Sequence, residues 1–252
     1  MIRKQKEIWG AVQDTSINWR KYEKIWNVVQ NTYKKVDWLT YLPGVTPRIE
    51  KAKAAEEEYI HQELEGIKIL DVGTGSGRSI DVILGKIPNA IITSIDINEQ
   101  NIKNAKAKFP RNIEFLLCDV FDYKSENTFD DILLPFNFLG NIYPEWRMQV
   151  LINHLSISLK EGGKFIGSVY SESALDMQLE FYQKKLKCKT KRLGSYTYGY
   201  REDGFSLVSR RFTETELFDF FHVCGLNFFQ YCEYKIDIQK KENWYLYSAR
   251  KL

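Results

Sequence analysis

The chain has 252 residues, 44% of them hydrophobic and 27% charged, with a formal net charge of +3. That size and apolar content fit one generous globular domain, or one domain with an elaboration, and no apolar run approaches the ~20 residues needed to cross a bilayer. So small a net charge does not by itself imply a nucleic-acid partner, the basic start 1–7 lacks the apolar core of a signal peptide, and the cysteines at 118, 188, 224 and 232 form no C-x-x-C pair or Cys/His ligand set, so a cytoplasmic protein without a metal is expected.

From Trp19 the apolar residues fall at 19, 22, 26, 29, 33 and 36, one face of a helix. Four of the six tryptophans (9, 19, 26 and 38) lie in this region, which suggests that its aromatics both dock the helix and reach a ligand cleft. Tyr41-Leu42-Pro43-Gly44 reads as a turn and 47–65 as a charged helix, so residues 1–65 are expected to form a helical N-terminal cap. Strands and helices then alternate: a strand over 67–72, a helix from Gly77 to about Gly85, a strand over 90–96, and a helix capped by Asn98 that ends before Pro110. Further strands are expected over 113–118, 131–136 and 164–170, with a helix between the last two, opened by Pro144 and ended by Gly162-Gly163. Continuous apolar strands separated by helices indicate a parallel sheet covered on both faces.

Residues 171–211 exceed what a connection needs. A helix over 172–186 and a hairpin of 196–200 with 205–209 are expected there, inserted at the carboxyl edge of the sheet, where open α/β folds bind ligands. Thr213 caps a helix through Phe221, and the runs 226–236 and 244–249 read as a closing antiparallel hairpin. The expected fold is therefore α/β and Rossmann-like. It has a seven-stranded, mostly parallel sheet over 66–252, with a C-terminal antiparallel hairpin, the helical cap and the inserted hairpin.

The most informative run is Ile69-Leu70-Asp71-Val72-Gly73-Thr74-Gly75-Ser76-Gly77-Arg78. Apolar residues lead into three glycines at alternate positions before a helix, a sharp strand-to-helix turn whose backbone amides can face a ligand. Asp96, 19 residues after Gly77 at the end of the next strand, can accept hydrogen bonds from both hydroxyls of a ribose. A dinucleotide turn reads G-x-G-x-x-G, but the position this requires is Arg78, and Asp71 would bring a carboxylate towards pyrophosphate. An acid followed by G-x-G-x-G resembles the first motif of the class I S-adenosylmethionine-dependent methyltransferases.

The resemblance implies S-adenosylmethionine as cofactor. Asp71, Gly73, Thr74, Gly75 and Gly77 would line its methionine and ribose portion. Asp96 would hold the ribose, with Ile97 on the adenine. Asp119 would accept the adenine amino group, with Val120 and Phe121 beside the ring. Strand four ends Leu134-Pro135-Phe136-Asn137-Phe138-Leu139-Gly140-Asn141. It lacks the (Asn/Asp)-Pro-Pro-(Tyr/Phe) motif of enzymes that methylate base amines or glutamine amides, and it resembles small-molecule methyltransferases. Pro135 would lie by the cofactor, Asn137 would orient the reacting groups and Asn141 would face the acceptor. Tyr196, Tyr198 and Tyr200, on one face of a strand, are candidates to surround an acceptor amine.

The expected function is methyl transfer to a nitrogen or oxygen of a small molecule. Two rivals remain at the level of sequence. One is an RNA or protein methyltransferase docking through 184–192, which carries six cations in nine residues. The other is a module that binds the cofactor without catalysis, with a nicotinamide dehydrogenase further off. His61, His154 and His222 read as solvated or structural.

Overall fold

The structure, a computed structural model, describes residues 19–36, 47–109, 113–226, 228–237 and 242–251. Trp9, Trp38 and the 41–44 turn lie outside the described residues. Helix α1 (Trp19–Lys35) and helix α2 (Pro47–Glu63) precede strand β1 (Lys68–Val72). There follow α3 (Arg78–Lys86), β2 (Ile91–Asp96), α4 (Glu99–Lys108), β3 (Ile113–Leu117), β4 (Phe129–Leu134), α5 (Glu145–Ser158) and β5 (Leu159–Ser171). Asn98 caps α4 as its sequence implies, its side chain accepting from the Gln100 and Asn101 amides.

The strands β3-β2-β1-β4-β5 are parallel, with one register shift between β4 and β5 at Phe129–Asp131, and β10 (Glu242–Arg250) and then β9 (Phe228–Asp237) continue the sheet antiparallel beyond β5. These are the seven strands expected. Alternate residues face two cores. Leu70, Ile132 and Phe165 meet α1, α5 and the C-terminal helix α7 (Glu214–Val223) on one face. Ile69, Leu133 and Ile166 meet α2, α3 and α4 on the other. Thr213 and Glu216 form a reciprocal capping box at the start of α7.

Several elements depart from expectation. The helix α5 stops at Ser158, and Leu159 opens a long β5, because Leu159 pairs with Phe129 across the sheet. Strand β4 stops at Leu134 because Phe136 and Asn137 adopt φ of 53° and 58°, a left-handed bend that no strand continues through. The segment 172–186 is helical but broken into a 3₁₀ turn, the short α6 (Leu175–Glu180) and a π turn over Phe181–Lys185.

The insertion is three-stranded: β6 (Lys189–Leu193), β7 (Tyr196–Tyr200) and β8 (Ser206–Phe212). Its place follows from edge counting. Strand β10 occupies one edge of β5 as far as Tyr170, while β4 leaves the other edge at Gly167. Strand β8 pairs with Tyr170 and Ser171, so it takes the edge that β4 vacated. The inserted sheet therefore stands directly beyond the carboxyl end of β4.

Candidate functional site

Gly73, Gly75 and Gly77 all lie at positive φ (78°, 49° and 75°), so the turn after β1 is open to glycine and strained for other residues. A Cβ on Gly73 would stand 2.9 Å from the Phe138 ring and one on Gly77 would stand 2.6 Å from Phe109. At Gly75 the space is free, since nothing but the Gly73 carbonyl comes within 4 Å. Gly75 thus faces a cavity of about 340 Å³ that runs past the carboxyl ends of β1, β2 and β4.

Asp96 borders this cavity. Its carboxylate accepts from the Gly75 amide (2.9 Å), the Asn98 amide (2.8 Å) and Asn101 Nδ2 (3.1 Å), which fixes both oxygens. Burial pushes its pKa above the usual carboxylate value, against the lowering effect of those amides. Asp119, on the loop after β3, accepts from the Phe121 amide (3.1 Å) and from Gln30 Nε2 of α1 (2.8 Å). Gln30, Trp26 and Tyr33 also line the cavity, so the N-terminal helix supplies part of its wall. Asn98 Nδ2 holds that helix by its last carbonyls, at Tyr33 (2.9 Å) and Val36 (2.8 Å).

Of the residues singled out in the sequence, Gly73, Thr74, Gly75, Asp96 and Ile97 line the cavity, as do Asp119, Val120, Phe121, Pro135, Asn137 and Asn141. Asp71, Gly77, Tyr196, Tyr198 and Tyr200 do not. Asp71 is fully buried beneath the turn, where it accepts from Ser79 Oγ (2.6 Å) and Ser94 Oγ (2.8 Å). It ties β2 and the first turn of α3 to β1 and does not present its charge to a ligand.

The tyrosines are a matter of parity. Tyr198 is paired with Val208 across the ladder, so the tyrosines share a face with Val208 and Ser206. The opposite face, with Leu207 and Ser209, meets the cavity. Tyr196 instead packs edge-on to Tyr143 and donates to the Ile142 carbonyl (3.0 Å), and Tyr198 stacks on Tyr200. The aromatic wall is made by Tyr33, Phe136, Tyr170, Phe181 and Tyr182. The 172–186 segment and α1 meet there, and Thr32 Oγ1 accepts from the Ser206 amide (2.9 Å) to join α1 to β8.

Asn137 is buried and committed. Its Oδ1 accepts from the Tyr170 amide (3.1 Å), and its Nδ2 donates to Ser209 Oγ (2.7 Å) and Asn141 Oδ1 (3.2 Å). Gly140 follows from this: a Cβ there would lie 2.3 Å from Asn137 Oδ1. The Phe-Asn-x-Leu-Gly run thus stitches β4, β5 and the insertion together at the cavity.

Sequence reasoning missed Glu56, for which a charged helix gave no signal. Its side chain is fully buried. Oε1 accepts from the Phe136 amide (2.6 Å) and Ser168 Oγ (2.5 Å), and Oε2 pairs with Arg78. Arg78 also reaches Glu57 (3.2 Å), stands 5.4 Å over the Phe136 ring and lines the cavity.

Residues 69–163 match the sequence profile of the methyltransferase domain family. The chain is 31% identical over 145 residues to malonyl-[acyl-carrier protein] O-methyltransferase 1 of Ilyobacter polytropus, an alignment covering 52% of each protein. It is 29% identical over 128 residues to the probable (S)-tetrahydroprotoberberine N-methyltransferase 2 of Papaver bracteatum, covering 48% of this chain and 35% of that one. The chain spans about half the length of the curated relatives it matches first. In fold it is similar to an S-adenosylmethionine-dependent methyltransferase from Clostridium acetobutylicum, with a TM-score of 0.58 at 17% identity, covering 92% of this chain and 98% of that one. It is also similar to the 1,6-didemethyltoxoflavin-N1-methyltransferase of Burkholderia thailandensis with bound S-adenosylhomocysteine, with a TM-score of 0.55 at 18% identity over 81% and 78% of the two chains. Residues 69–163 thus match a methyltransferase domain, within a chain that has the fold of S-adenosylmethionine-dependent methyltransferases.

Proposed function

We propose that the protein transfers the methyl group of S-adenosylmethionine to an oxygen or nitrogen of a small molecule. The observation that carries this reading is one continuous cavity with two chemically distinct ends. At one end stand Asp96 and Asp119, and at the other the aromatic wall built from α1, β5 and the insertion.

The residues fit the cofactor. Gly75 leaves open space beside the Asp96 carboxylate, which accepts three hydrogen bonds and has about one lone-pair site left, on Oδ1, for a ribose hydroxyl. Asp119 and Gln30 suit the amino edge of adenine, with Ile97, Val120 and Phe121 flanking the ring. Gly73, Thr74 and Gly75 lie along the methionine portion, and Asp71 and Gly77 shape the turn from behind. Bound S-adenosylmethionine supplies a methyl group already activated by its positive sulfur.

What remains for the chain is to align a nucleophile and exclude water. Pro135, Asn137 and Asn141 fix the loop where the cofactor and acceptor halves meet. Asn137 acts by holding this loop, since both of its amide protons are engaged. The names of the relatives include both O- and N-methyltransferases, which supports the reaction class and leaves the acceptor atom to experiment. The exposed lysines 187, 189 and 191 lie outside the cavity, on or beside β6. Among the described residues no helix is long and apolar enough to cross a membrane, and no cluster of metal-ligating side chains occurs.

Calorimetry with S-adenosylhomocysteine and with NAD tests the cofactor, and methyl transfer from labelled donor into a metabolite extract tests turnover. Binding of S-adenosylhomocysteine alone, with label in a small molecule, is the expected result. Label appearing only in RNA or protein would overturn the acceptor class.

A further inference from the structure

The end of the cavity at Asp119 is built from segments far apart in the chain. Asp119 stands on the loop after β3, and Gln30 reaches it from α1, its Nε2 donating to Asp119 Oδ2 (2.8 Å). The helix that carries Gln30 is firmly docked at this point. Trp26, one turn earlier, packs edge-on to Phe121 with ring centroids 6.3 Å apart. The Arg147 guanidinium of α5 lies 5.3 Å from the Trp26 ring and 6.0 Å from the Phe121 ring, bridging α1 and the loop. Asn98 holds the end of α1 by the Tyr33 and Val36 carbonyls, and Thr32 joins the helix to β8. Gln30 therefore sits on a fixed element.

The bond to Asp119 decides which way round the Gln30 amide stands. A carboxylate only accepts, so it takes the NH₂ group and repels the carbonyl oxygen. That leaves Gln30 Oε1 as an acceptor on a side chain that lines the cavity, and among the described residues no donor reaches it. Asp119 Oδ1 takes the Phe121 amide (3.1 Å), so each carboxylate oxygen holds one hydrogen bond and keeps a lone pair. Two neighbouring side chains thus offer acceptors to the same end of the cavity. Their spacing suits a single amino group. An amino group that donates both hydrogens at about 2.9 Å, splayed by about 120°, needs acceptors about 5 Å apart. An amide oxygen stands about 2.3 Å from its nitrogen, so Gln30 Oε1 can stand up to about 5 Å from Asp119 Oδ2.

We propose, on the cofactor reading above, that Gln30 is a specificity-determining residue: with Asp119 it grips both hydrogens of the adenine amino group. The site then admits a free 6-amino group and rejects a substituted one. Asp119 alone would hold one hydrogen and leave the other unread, and a substituent on the nitrogen could turn away from it at little cost. With Gln30 on the other side, neither orientation is free. Either way one hydrogen bond is lost, and the substituent meets an oxygen left without its donor. Selectivity for the cofactor thus rests partly on α1, an element that precedes the strands and the glycine turn holding the rest of it.

The test titrates the full chain calorimetrically with S-adenosylhomocysteine and with its analogue carrying one methyl group on the adenine 6-amino nitrogen. The unmutated protein should bind the methylated analogue at least about tenfold more weakly. Gln30→Ala should bind S-adenosylhomocysteine about threefold to tenfold more weakly, the scale of one lost hydrogen bond, and should bind the two ligands within about threefold of each other. The ratio separates recognition from packing, because a loosened α1 would weaken both ligands alike. Gln30→Met, which fills similar space without polar atoms, should show the same loss for S-adenosylhomocysteine. A methylated analogue that binds the unmutated protein as well as its parent, a Gln30→Ala variant that rejects it as strongly as before, or either variant keeping full affinity for S-adenosylhomocysteine would each overturn the proposal. Failure of S-adenosylhomocysteine to bind the unmutated protein would instead overturn the cofactor reading, and the proposal with it.

Discussion

Glu56 offers the sharpest quantitative test of how the site is held together. Its carboxylate divides its work between two oxygens. Oε1 takes the Phe136 amide and the Ser168 hydroxyl, and Oε2 takes Arg78. Glu56→Gln keeps an acceptor at Oε1 but turns an amide NH₂ towards the guanidinium, so it removes the ionic half alone. Glu56→Ala removes both halves and strands the part-buried Phe136 amide. Leaving one buried donor unsatisfied costs about 1–3 kcal/mol, and a hydrogen bond to a charged group is worth about 1.5–3 kcal/mol. Ser168 can turn to other partners, and Arg78 retains Glu57 and is 23% exposed, so the loss falls short of the about 3–5 kcal/mol seen for a fully buried ion pair. We expect Glu56→Ala to cost about 3 kcal/mol and Glu56→Gln about half as much. Urea unfolding should show this as shifted midpoints at an unchanged slope. An alanine variant costing under about 1 kcal/mol, or a glutamine variant as damaging as alanine, would refute the division of labour between the two oxygens.

Asp96→Ala should weaken cofactor binding by about 1.5–3 kcal/mol in calorimetry, and should also cost stability, because the carboxylate anchors Gly75, Asn98 and Asn101. Gly73→Ala should lower the urea midpoint and cofactor affinity together, since φ is 78° and the added Cβ meets Phe138 at 2.9 Å. Asn137→Ala should destabilise by about 2–3 kcal/mol by stranding the Tyr170 amide, and should lower turnover more than cofactor affinity; unchanged turnover in a folded variant would count against the loop's role. Stability should decline in alkali. Burial raises the Cys188 thiol from 9.0 to about 11 and the Cys224 thiol to about 12. The folded state therefore binds these protons more tightly than the unfolded chain, so the stabilisation is complete below about pH 9 and is lost as pH rises through the folded values. Cys224→Ala should flatten that decline in urea midpoints measured across this range, and an equally steep decline would assign it to other groups.

The parallel sheet was legible because its signals are local. A buried run, a glycine turn and a capping asparagine each act within a few residues, and Ile69–Val72, Gly73 and Asn98 all form the elements expected of them. What the sequence hid depends on which side of an element is buried. Every residue of β8 is buried, and β7 is buried or half-buried throughout, so alternation carries no sign of which face meets the cavity. Tyr196, Tyr198 and Tyr200 therefore looked as eligible as Leu207 and Ser209. Asp71 was hidden for a related reason. An acid beside a ligand-binding turn has the same spacing whether it points at the ligand or beneath the turn. Only the hydroxyls of Ser79 and Ser94 decide between them.

Glu56 shows the same limit from the other side. In α2 it is one of three consecutive glutamates, and its neighbours Glu57 and Glu58 are partly or largely exposed. Nothing local sets it apart. Its burial comes from a bend at Phe136, 80 residues away, whose amide has no strand partner once β4 ends. That bend also places Asn137 where it can reach Tyr170 on β5 and Ser209 on β8. One interruption of a strand thus recruits a carboxylate from α2, an arginine from α3 and a serine from the insertion to a single wall of the cavity. The glycine turn and the acids after β2 and β3 are built from the strands that hold them, so they can be read in order along the chain. The aromatic end of the cavity is assembled from α1, α2, β5 and the insertion, and its chemistry is set by contacts between segments that share no local pattern.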